Sequence, residues 1–320
     1  MDNRDRYLIT GFSGFVSKHF LDYLEDLKIE VMVTGIDLHL PSFNIEEFNY
    51  VKCEFQKVDL LNKAEVENIV SQFKPSYILH LASYSSVAMS WKKPVQSFTN
   101  NTNIFLNLIE TIHTLELKCR ILSIGSSEEY GNVNALDLPL TENQELKPIS
   151  PYAVARVSQE MLSKVYADSF GLDIIMTRSF NHIGTHQKDI FVIPSFAKQL
   201  IKLKKTGGQQ MELTTGDTSI VRDFIDVRDV VKAYYLLFKK GKKGELYNIC
   251  SGKGISLNEV INIMTFNLNI SILQKIDTQL VRPNDNKIII GSNDKIKAET
   301  GWSNAIPIEK SIADILEFYK

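Results

Sequence analysis

Tyr152 and Arg156 stand four positions apart in a stretch whose apolar spacing predicts a helix over 151–170. Because positions i and i+4 share a face of a helix, the two side chains are predicted to point the same way. A cation beside a phenol favours the ionised phenol, and such a phenol can exchange a proton with a substrate oxygen. We therefore predict that Tyr152 is a catalytic acid or base and that Arg156 supports it.

Two further polar groups follow strand-like runs. Ser126, Ser127 and Glu128 come after the apolar run 120–125, and Ser126 is expected to hydrogen-bond the same oxygen as Tyr152. A glutamate at a strand end is more often a solvated or capping group than a base. His80 ends another apolar run, and we interpret it as a packed strand residue rather than a catalytic base.

A glycine turn lies near the start of the chain. Gly11 permits a tight turn, Gly14 lets a pyrophosphate approach the backbone, and the helix that follows directs its N-terminus at the negative charge. The third glycine position of the motif holds Ser17, which is small enough for close helix packing. Two glycines alone can mark a simple turn, but this context favours a dinucleotide. The predicted cofactor contacts here are Gly11, Phe12, Ser13, Gly14, Phe15 and Val16.

An acidic residue, Asp37, ends the next strand-like run. A carboxylate there accepts the ribose hydroxyls of the adenosine and repels a 2′-phosphate. Residues 38–40 contain no arginine that would hold such a phosphate, so we predict NAD(H) as the preferred cofactor and NADP(H) as the alternative. Asp59 and Leu60 are placed to meet the adenine; a capping aspartate before a helix at Asn62 is an equal alternative.

The elements that position these residues alternate along the first half of the chain. Strands are predicted at 7–10, 30–35, 77–82, 120–124 and 174–177, and helices at 17–27, 63–72, 95–114 and 151–170. This alternation is typical of an α/β fold, a Rossmann-like doubly wound parallel sheet. After residue 178 the rhythm is irregular, with helices near 194–205, 227–239 and 307–319. We expect a cofactor domain at 1–177, rejoined by 226–250, and a smaller substrate-binding lobe at 178–225 and 251–320.

Composition excludes several classes of partner. The 320 residues include 36 basic and 38 acidic ones, a net charge of -2, so no global field attracts nucleic acid or anionic lipid. No apolar run approaches the ~20 residues of a membrane span, and no secretory signal precedes the first strand, so we expect a cytoplasmic protein. The three cysteines, Cys53, Cys119 and Cys250, lack metal-site spacing and are expected to be reduced.

Several motifs together resemble one family. They are the glycine turn at 10–14, the string Ser-Ser-Glu-Glu-Tyr-Gly at 126–131 and Ser-Pro-Tyr-Ala-Val-Ala-Arg at 150–156. The chain resembles the extended short-chain dehydrogenases/reductases, and more narrowly the GDP-4-keto-6-deoxy-D-mannose reductases, with the GDP-mannose 4,6-dehydratases as a sister group. Further matching stretches are 177–184, 222–234, 245–252, 282–283 and 300–302. The family has lysine where this chain has Arg156, which keeps the charge but is longer and planar.

The resemblance implies reduction at C4 of GDP-4-keto-6-deoxy-D-mannose, with hydride from NADH, a proton from Tyr152 and Ser126 steadying the developing alkoxide. The product would be GDP-D-rhamnose. A second interpretation is a GDP-mannose 4,6-dehydratase, or a GDP-sugar 4-dehydrogenase or epimerase, with retained NAD; in the dehydratases the residue matching Glu128 abstracts a proton next to the ketone. A third is a nucleotide-sugar-binding protein that lost turnover through Arg156.

The resemblance also implies further contacts and a homodimer. Leu81 and Ala82 would line the cofactor, and Tyr152 and Arg156 would contact it as well, Arg156 at the nicotinamide ribose. Substrate contacts would be Ser86, Ser127, Asn181, Val192, Lys198, Arg222, Arg282 and Asp285, with the two arginines on the diphosphate. Each of three assignments has an alternative. Asn181 would satisfy backbone groups in a turn, Lys198 would be solvated, and Arg222 would form an ion pair with Asp226 or Asp229. The helices at 95–114 and 151–170 would pack across a two-fold axis.

Overall fold

The computed structural model describes residues 4–207, 211–280 and 286–320. The strands within these ranges are β1 (Asp5–Thr10), β2 (Val31–Asp37), β3 (Val51–Lys57), β4 (Tyr77–His80), β5 (Arg120–Ser126), β6 (Asp173–Ser179), β7 (Asn181–Ile183), β8 (Glu212–Thr215), β9 (Val221–Asp226), β10 (Leu246–Ile249), β11 (Gly254–Ser256), β12 (Leu273–Ile276) and β13 (Ile288–Ile289). The α-helices are α1 (Phe15–Asp26), α2 (Lys63–Phe73), α3 (Val87–Lys92), α4 (Pro94–Phe98), α5 (Ile104–Thr114), α6 (Pro151–Ser169), α7 (Val192–Thr206), α8 (Val227–Lys240), α9 (Leu257–Leu268), α10 (Asp294–Thr300) and α11 (Ile308–Tyr319).

The largest sheet has seven parallel strands in the spatial order β10-β6-β5-β4-β1-β2-β3. The chain builds outward from β1 to β3 and then returns to β4 on the other side of β1. This reversal is the switch point at which open α/β sheets bind ligands, beyond the carboxyl ends of the strands. The predicted Rossmann-like doubly wound sheet is therefore confirmed.

Apolar spacing explains how the sheet is covered. Residues Tyr7 to Thr10 of β1 are all fully buried, as expected for a parallel strand with helices on both faces. The apolar positions of α1 recur at Val16, Phe20 and Leu24, so one face of that helix packs on the sheet. Helices α1 and α8 cover one side of the sheet, and α2, α5 and α6 cover the other.

The helix predicted over 95–114 is interrupted. A π-helical turn, Thr99–Asn103, separates α4 from α5 and carries a buried asparagine. The side chain of Asn101 accepts a hydrogen bond from the backbone N of Tyr84 at 3.1 Å and donates one to the carbonyl of Ser97 at 2.6 Å. Thr102 donates to the carbonyl of Ala155 in α6 at 3.0 Å. The interruption thus fixes the loop after β4 against α6.

The second half of the chain has a hydrophobic core of its own. Leu200 of α7, Val260 of α9 and Ile312 of α11 belong to one buried cluster, whose described members all follow β6. Strand β10 leaves this part and pairs with β6 in the large sheet. The boundaries expected for the two parts stay predictions. None of the helices in the described ranges is long and apolar enough to cross a membrane.

Candidate active site

The glycine turn after β1 forms a backbone cradle. Gly11 has φ +68°, and a Cβ on it would lie 2.6 Å from the backbone N of Ala82, so both conformation and space require glycine. The N–H of Gly14 closes the turn on the carbonyl of Gly11 at 3.1 Å. Helix α1 begins at Phe15 with no side-chain cap, which leaves its first N–H groups directed outward. The cradle fits a diphosphate, which needs close backbone approach and unpaired N–H donors.

Asp37 is anchored beside this cradle. Its Oδ2 accepts hydrogen bonds from the backbone N and the hydroxyl of Ser13, at 3.0 and 2.7 Å, and its Oδ1 accepts one from the backbone N of His39. The structure therefore brings Asp37 and Ser13 together. The side chain of Phe12 is instead buried beneath β2, where a Cβ on Gly35 would enter its ring. Only the backbone of Phe12 faces the cradle.

The segment after β4 lies across the switch point from the cradle. Thr10 accepts a hydrogen bond from the backbone N of Ala82 at 3.1 Å, and the backbone N of Leu81 donates to the carbonyl of Thr10. The Thr10 hydroxyl also lies 2.9 Å from Nδ1 of His80. Burial, with a smaller effect of Arg156, lowers the pKa of His80 to about 3, so the ring is neutral. His80 is a packed strand residue, which confirms the prediction.

Tyr152 and Arg156 contact each other on α6, as the helical spacing predicted. The Nε of Arg156 donates a hydrogen bond to the hydroxyl oxygen of Tyr152 at 3.2 Å, and both side chains are buried. Ser150 caps the start of α6 by accepting from the backbone N of Ala153. The cation lies directly against the phenol, where it stabilises negative charge on the oxygen.

The rest of the Arg156 guanidinium is held by neutral groups. Nη1 donates to the carbonyl of Ile124 at 3.1 Å and to Oε1 of Gln159 at 2.6 Å, and Nη2 donates to the hydroxyl of Ser83 at 2.5 Å. Within the described ranges, no carboxylate forms an ion pair with Arg156. Its positive charge is therefore available to Tyr152. Through Ser83, two residues beyond Leu81, Arg156 also reaches the segment that faces the glycine turn.

The end of β5 presents Ser126 and the turn that follows it. Ser126 accepts a hydrogen bond from the backbone N of Glu128 at 3.2 Å, which leaves its hydroxyl hydrogen able to bond a substrate oxygen. Ser127 is buried, and Glu128 is half-buried. Arg156 bonds the carbonyl of Ile124, two residues before Ser126, so α6 is fastened to this end of β5.

The predicted substrate contacts are spread over several elements. Ser86 caps α3 by accepting from the backbone N of Met89, Asn181 begins β7 and is exposed, and Val192 begins α7. Lys198 is exposed on α7 and forms an ion pair with Asp189, so the structure does not bring its ammonium to the residues around Tyr152.

Arg222 is buried, and its Nη1 donates to the carbonyls of Val221 and Asn286 at 2.9 and 2.8 Å. The alternative ion pairs predicted for Arg222 are wrong, because both carboxylates have other partners. Asp226 pairs with Arg228, and Asp229 accepts the backbone N–H groups of residues 305 and 306. Arg282 and Asp285 lie outside the described residues.

Asp59 does not cap α2. The cap is Asn62, whose side chain accepts from the backbone N of Glu65, whereas Oδ1 of Asp59 accepts from the backbone N of Leu61 at 2.9 Å. The alternative that Asp59 caps the helix is therefore wrong, because the capping residue is Asn62. Leu60 is buried in the core beneath this turn.

Ser83, Gln159 and Glu129 also contact the site, although sequence reasoning did not single them out. Gln159 had a signal, because it lies three positions after Arg156 and so shares its helix face. Glu129 also had a signal, because Ser126 and Glu129 form a capping box whose Ser-x-x-Glu spacing is readable in the sequence. Ser83 gave none, since its partner Arg156 is distant in sequence.

Comparisons with known proteins identify the family of the chain and proteins of similar fold. The model of the GDP-mannose 4,6 dehydratase family matches residues 8–315. GDP-6-deoxy-D-mannose reductase from Pseudomonas aeruginosa is 30% identical over 311 residues, which cover 97% of this chain and 96% of the relative. The structure of RMD from Pseudomonas aeruginosa complexed with NADPH has a TM-score of 0.84 at 28% identity, covering 99% of this chain and 97% of that one. UDP-glucose 4-epimerase from Thermotoga maritima with UDP-glucose has a TM-score of 0.85 at 27% identity, with 98% of each chain covered.

Proposed function

Because the chain belongs to the GDP-mannose 4,6-dehydratase family of extended short-chain dehydrogenases/reductases, we propose that it reduces the C4 keto group of GDP-4-keto-6-deoxy-D-mannose. The observation that carries this proposal is the hydrogen bond from Arg156 to Tyr152, which equips a buried phenol to give up its proton. The similarity over nearly the whole chain to GDP-6-deoxy-D-mannose reductase supports the substrate.

A bound nicotinamide cofactor would supply the hydride to C4. Tyr152 donates its proton to the O4 oxygen and so completes the conversion of the ketone to an alcohol. Ser126 donates a hydrogen bond to the same oxygen and stabilises the charge that develops on it. Arg156 then compensates the negative charge left on the Tyr152 oxygen.

We assign cofactor binding to the cradle of Gly11, Ser13 and Gly14, with Asp37 on the adenosine ribose. NAD(H) is the preferred cofactor, because the Asp37 carboxylate, fixed by Ser13, repels a 2′-phosphate. A related protein was solved with NADPH, which makes NADP(H) the alternative. For the substrate, we assign Asn181, Arg222, Arg282 and Asp285 to the nucleotide sugar.

A dehydratase is the second candidate function, and Glu128 is the observation that favours it. A half-buried carboxylate in the turn beside Ser126 is the kind of group that abstracts a proton next to a ketone, and the matching family model carries the dehydratase name. This reaction starts from GDP-mannose and reuses its cofactor, whereas the reductase consumes added NADH.

The two candidates are separated by two assays on the purified protein. The absorbance of NADH is followed after mixing with the 4-keto-6-deoxy derivative of GDP-mannose, and separately with GDP-mannose itself. Loss of NADH only with the keto sugar supports the reductase. Conversion of GDP-mannose without added cofactor would overturn the proposal in favour of the dehydratase, and cofactor binding without turnover of either sugar would indicate a binding protein.

We also propose a homodimer through α6. Val154, Met161 and Val165 lie on one face of this helix and are about half exposed, and Trp91 and Val95 on α3 and α4 are exposed as well. Exposed apolar side chains grouped on neighbouring helices are typical of a protein–protein contact surface.

A further inference from the structure

Glu129 is fully buried beneath the turn that carries Ser126 and Glu128. Its carboxyl group folds back toward β5, and Oε1 accepts a hydrogen bond from the backbone N of Ser126 at 2.6 Å. Gly125 makes room for it, because a Cβ at that position would lie 2.4 Å from Oε1. The carboxyl thus contacts the backbone of a residue assigned to the substrate oxygen.

The other oxygen of Glu129 faces a second carboxyl and one cation. Arg178 of β6 donates from Nε and Nη2 to the two oxygens of Glu160 on α6, at 2.8 and 2.7 Å. The same Nε is 3.9 Å from Oε2 of Glu129, too far for a hydrogen bond. All three side chains are at least nine-tenths buried. We call Glu129, Glu160 and Arg178 the buried triad.

The triad has one positive charge for two carboxyl groups. Arg178 is already paired on both oxygens of Glu160, so an ionised Glu129 would be a second buried negative charge next to the first. Among the described residues, no hydrogen-bond donor reaches Oε2 of Glu129. A proton on Oε2 resolves both problems, because it removes the charge and turns this oxygen into a donor toward Glu160. Burial and the neighbouring Glu160 accordingly hold the pKa of Glu129 well above its usual range.

We propose that Glu129 is a positioning residue that acts as a neutral acid: it bridges Glu160 to the backbone of Ser126 and so holds the Ser126–Glu128 turn against the substrate. This inference rests on the role proposed for Ser126. Loss of the Glu129 proton would place two negative charges in contact behind the turn. It would replace the bond to Glu160 by repulsion and so loosen the turn from α6, without changing any group that touches the substrate.

Charged and titratable groups face Glu129 from each neighbouring element. Arg178 comes from β6, Glu160 from α6, and Tyr130 follows in the same turn with its ring 4.6 Å from the Arg178 guanidinium. Glu142 contributes its backbone carbonyl to Nη1 of Arg178. Of these, only Glu160 presents a carboxylate to the Glu129 carboxyl group, so the proton of Glu129 is directed at Glu160.

The test compares E129Q, E129L and the surface control E145Q, whose side chain is exposed and outside the site. In infrared spectra at neutral pH, the wild type and E145Q should show a carbonyl stretch of a protonated carboxylic acid that is absent from E129Q. Glutamine keeps the acceptor for Ser126 and the donor for Glu160, so E129Q should retain kcat within about threefold. Leucine removes both, and E129L should lose about 10- to 100-fold in kcat with a much smaller change in KM.

The spectrum requires no substrate, so it tests the neutral acid even if the wild type turns over neither sugar, a result that would count against the proposed function alone. An identical infrared band in E129Q would overturn the inference. So would a wild-type kcat in E129L when the wild type is active, or a loss in E129Q as large as in E129L. If E129L does not fold, the infrared comparison of the wild type with E129Q still tests whether Glu129 is a neutral acid.

Discussion

The Nε of Arg156 lies 3.2 Å from the hydroxyl oxygen of Tyr152 and donates to it across one turn of α6. The other bonds of Arg156, to Ile124, Gln159 and Ser83, fix the direction of this donor. A guanidinium is planar and presents its donors in a fixed fork, so anchoring its Nη atoms sets the position of Nε. The arginine that departs from the family pattern therefore contacts the phenol directly.

Arg156→Ala is expected to lower kcat by about 10²- to 10³-fold, because the Tyr152 oxygen loses the cation that stabilises its negative charge. Arg156→Lys keeps a cation on the same helix face and should lose only about tenfold. Steady-state kinetics with the keto sugar and NADH measure both. Melting temperatures serve as the control for folding. Wild-type turnover by Arg156→Ala would show that the role is wrongly assigned.

Tyr152→Phe removes the proton donor and leaves the ring. We expect kcat to fall by about 10²- to 10⁴-fold, since general acid catalysis contributes that much, while NADH binding weakens far less. Fluorescence titration measures the affinity for NADH, and initial rates measure kcat. Tyr50→Phe, at a partly exposed surface position, is the matched control and should change neither. Full activity in Tyr152→Phe would remove the phenol from the mechanism.

Asp37→Asn should reduce the preference for NADH over NADPH. The amide can still accept from Ser13, but it no longer repels a 2′-phosphate. We expect the ratio of the two kcat/KM values to shift toward NADPH by about tenfold, which is about 1.4 kcal/mol. Asp26→Asn, on the exposed end of α1, should leave the ratio unchanged. Equal use of both cofactors by the wild type would contradict the role given to Asp37.

The sequence was sufficient for local relationships. The helical spacing of Tyr152 and Arg156 predicted their contact, and the alternation of apolar runs predicted the parallel sheet, because both follow from short-range periodicity. The interruption at Thr99–Asn103 was not predicted, since no periodicity of the helix signals the bond between Asn101 and Tyr84 in the loop after β4. Helix α9 was missed, although its capping box of Ser256 and Glu259 was a readable signal.

Long-range polar contacts were beyond sequence reasoning. Ser83 meets Arg156, and Glu129 meets the pair of Arg178 and Glu160, only after separate strands and α6 have assembled. Arg222 is another case in which the sequence did not predict the partner. It donates to the backbone carbonyls of Val221 and Asn286 and does not pair with Asp226 or Asp229, the carboxylates nearby in sequence.

Val165→Glu is expected to convert the proposed dimer to a monomer. The charge would lie in the apolar face of α6, where a partner helix would have to desolvate it. Sedimentation velocity at working concentration measures the change. Phe266→Glu, at a highly exposed position on α9, is the matched control and should leave the dimer intact. A wild-type monomer in this experiment would refute the dimer.

Asp223 should make stability depend on pH. It is fully buried in β9 and accepts from the backbone and hydroxyl of Ser251 and from the backbone N–H groups of Gly252 and Gly291. Burial nevertheless raises its pKa to about 6, whereas an unfolded aspartate has a pKa of about 4. Between these values the folded chain holds a proton that the unfolded chain has released. The contribution of Asp223 is therefore complete below about pH 4 and is lost as the pH rises through about 6.

Urea unfolding of the wild type and Asp223→Asn across this range tests the sign. The amide points a donor at the N–H groups of Gly252 and Gly291, so the variant should be less stable by about 1–3 kcal/mol at every pH. Because asparagine does not titrate, the stability difference should be larger near pH 4.5 than at pH 7, by about 1–3 kcal/mol. If Asp223 were instead ionised over the whole pH range, the four donors would bind a full negative charge. The stability difference between the wild type and Asp223→Asn would then grow with pH, which is the opposite trend.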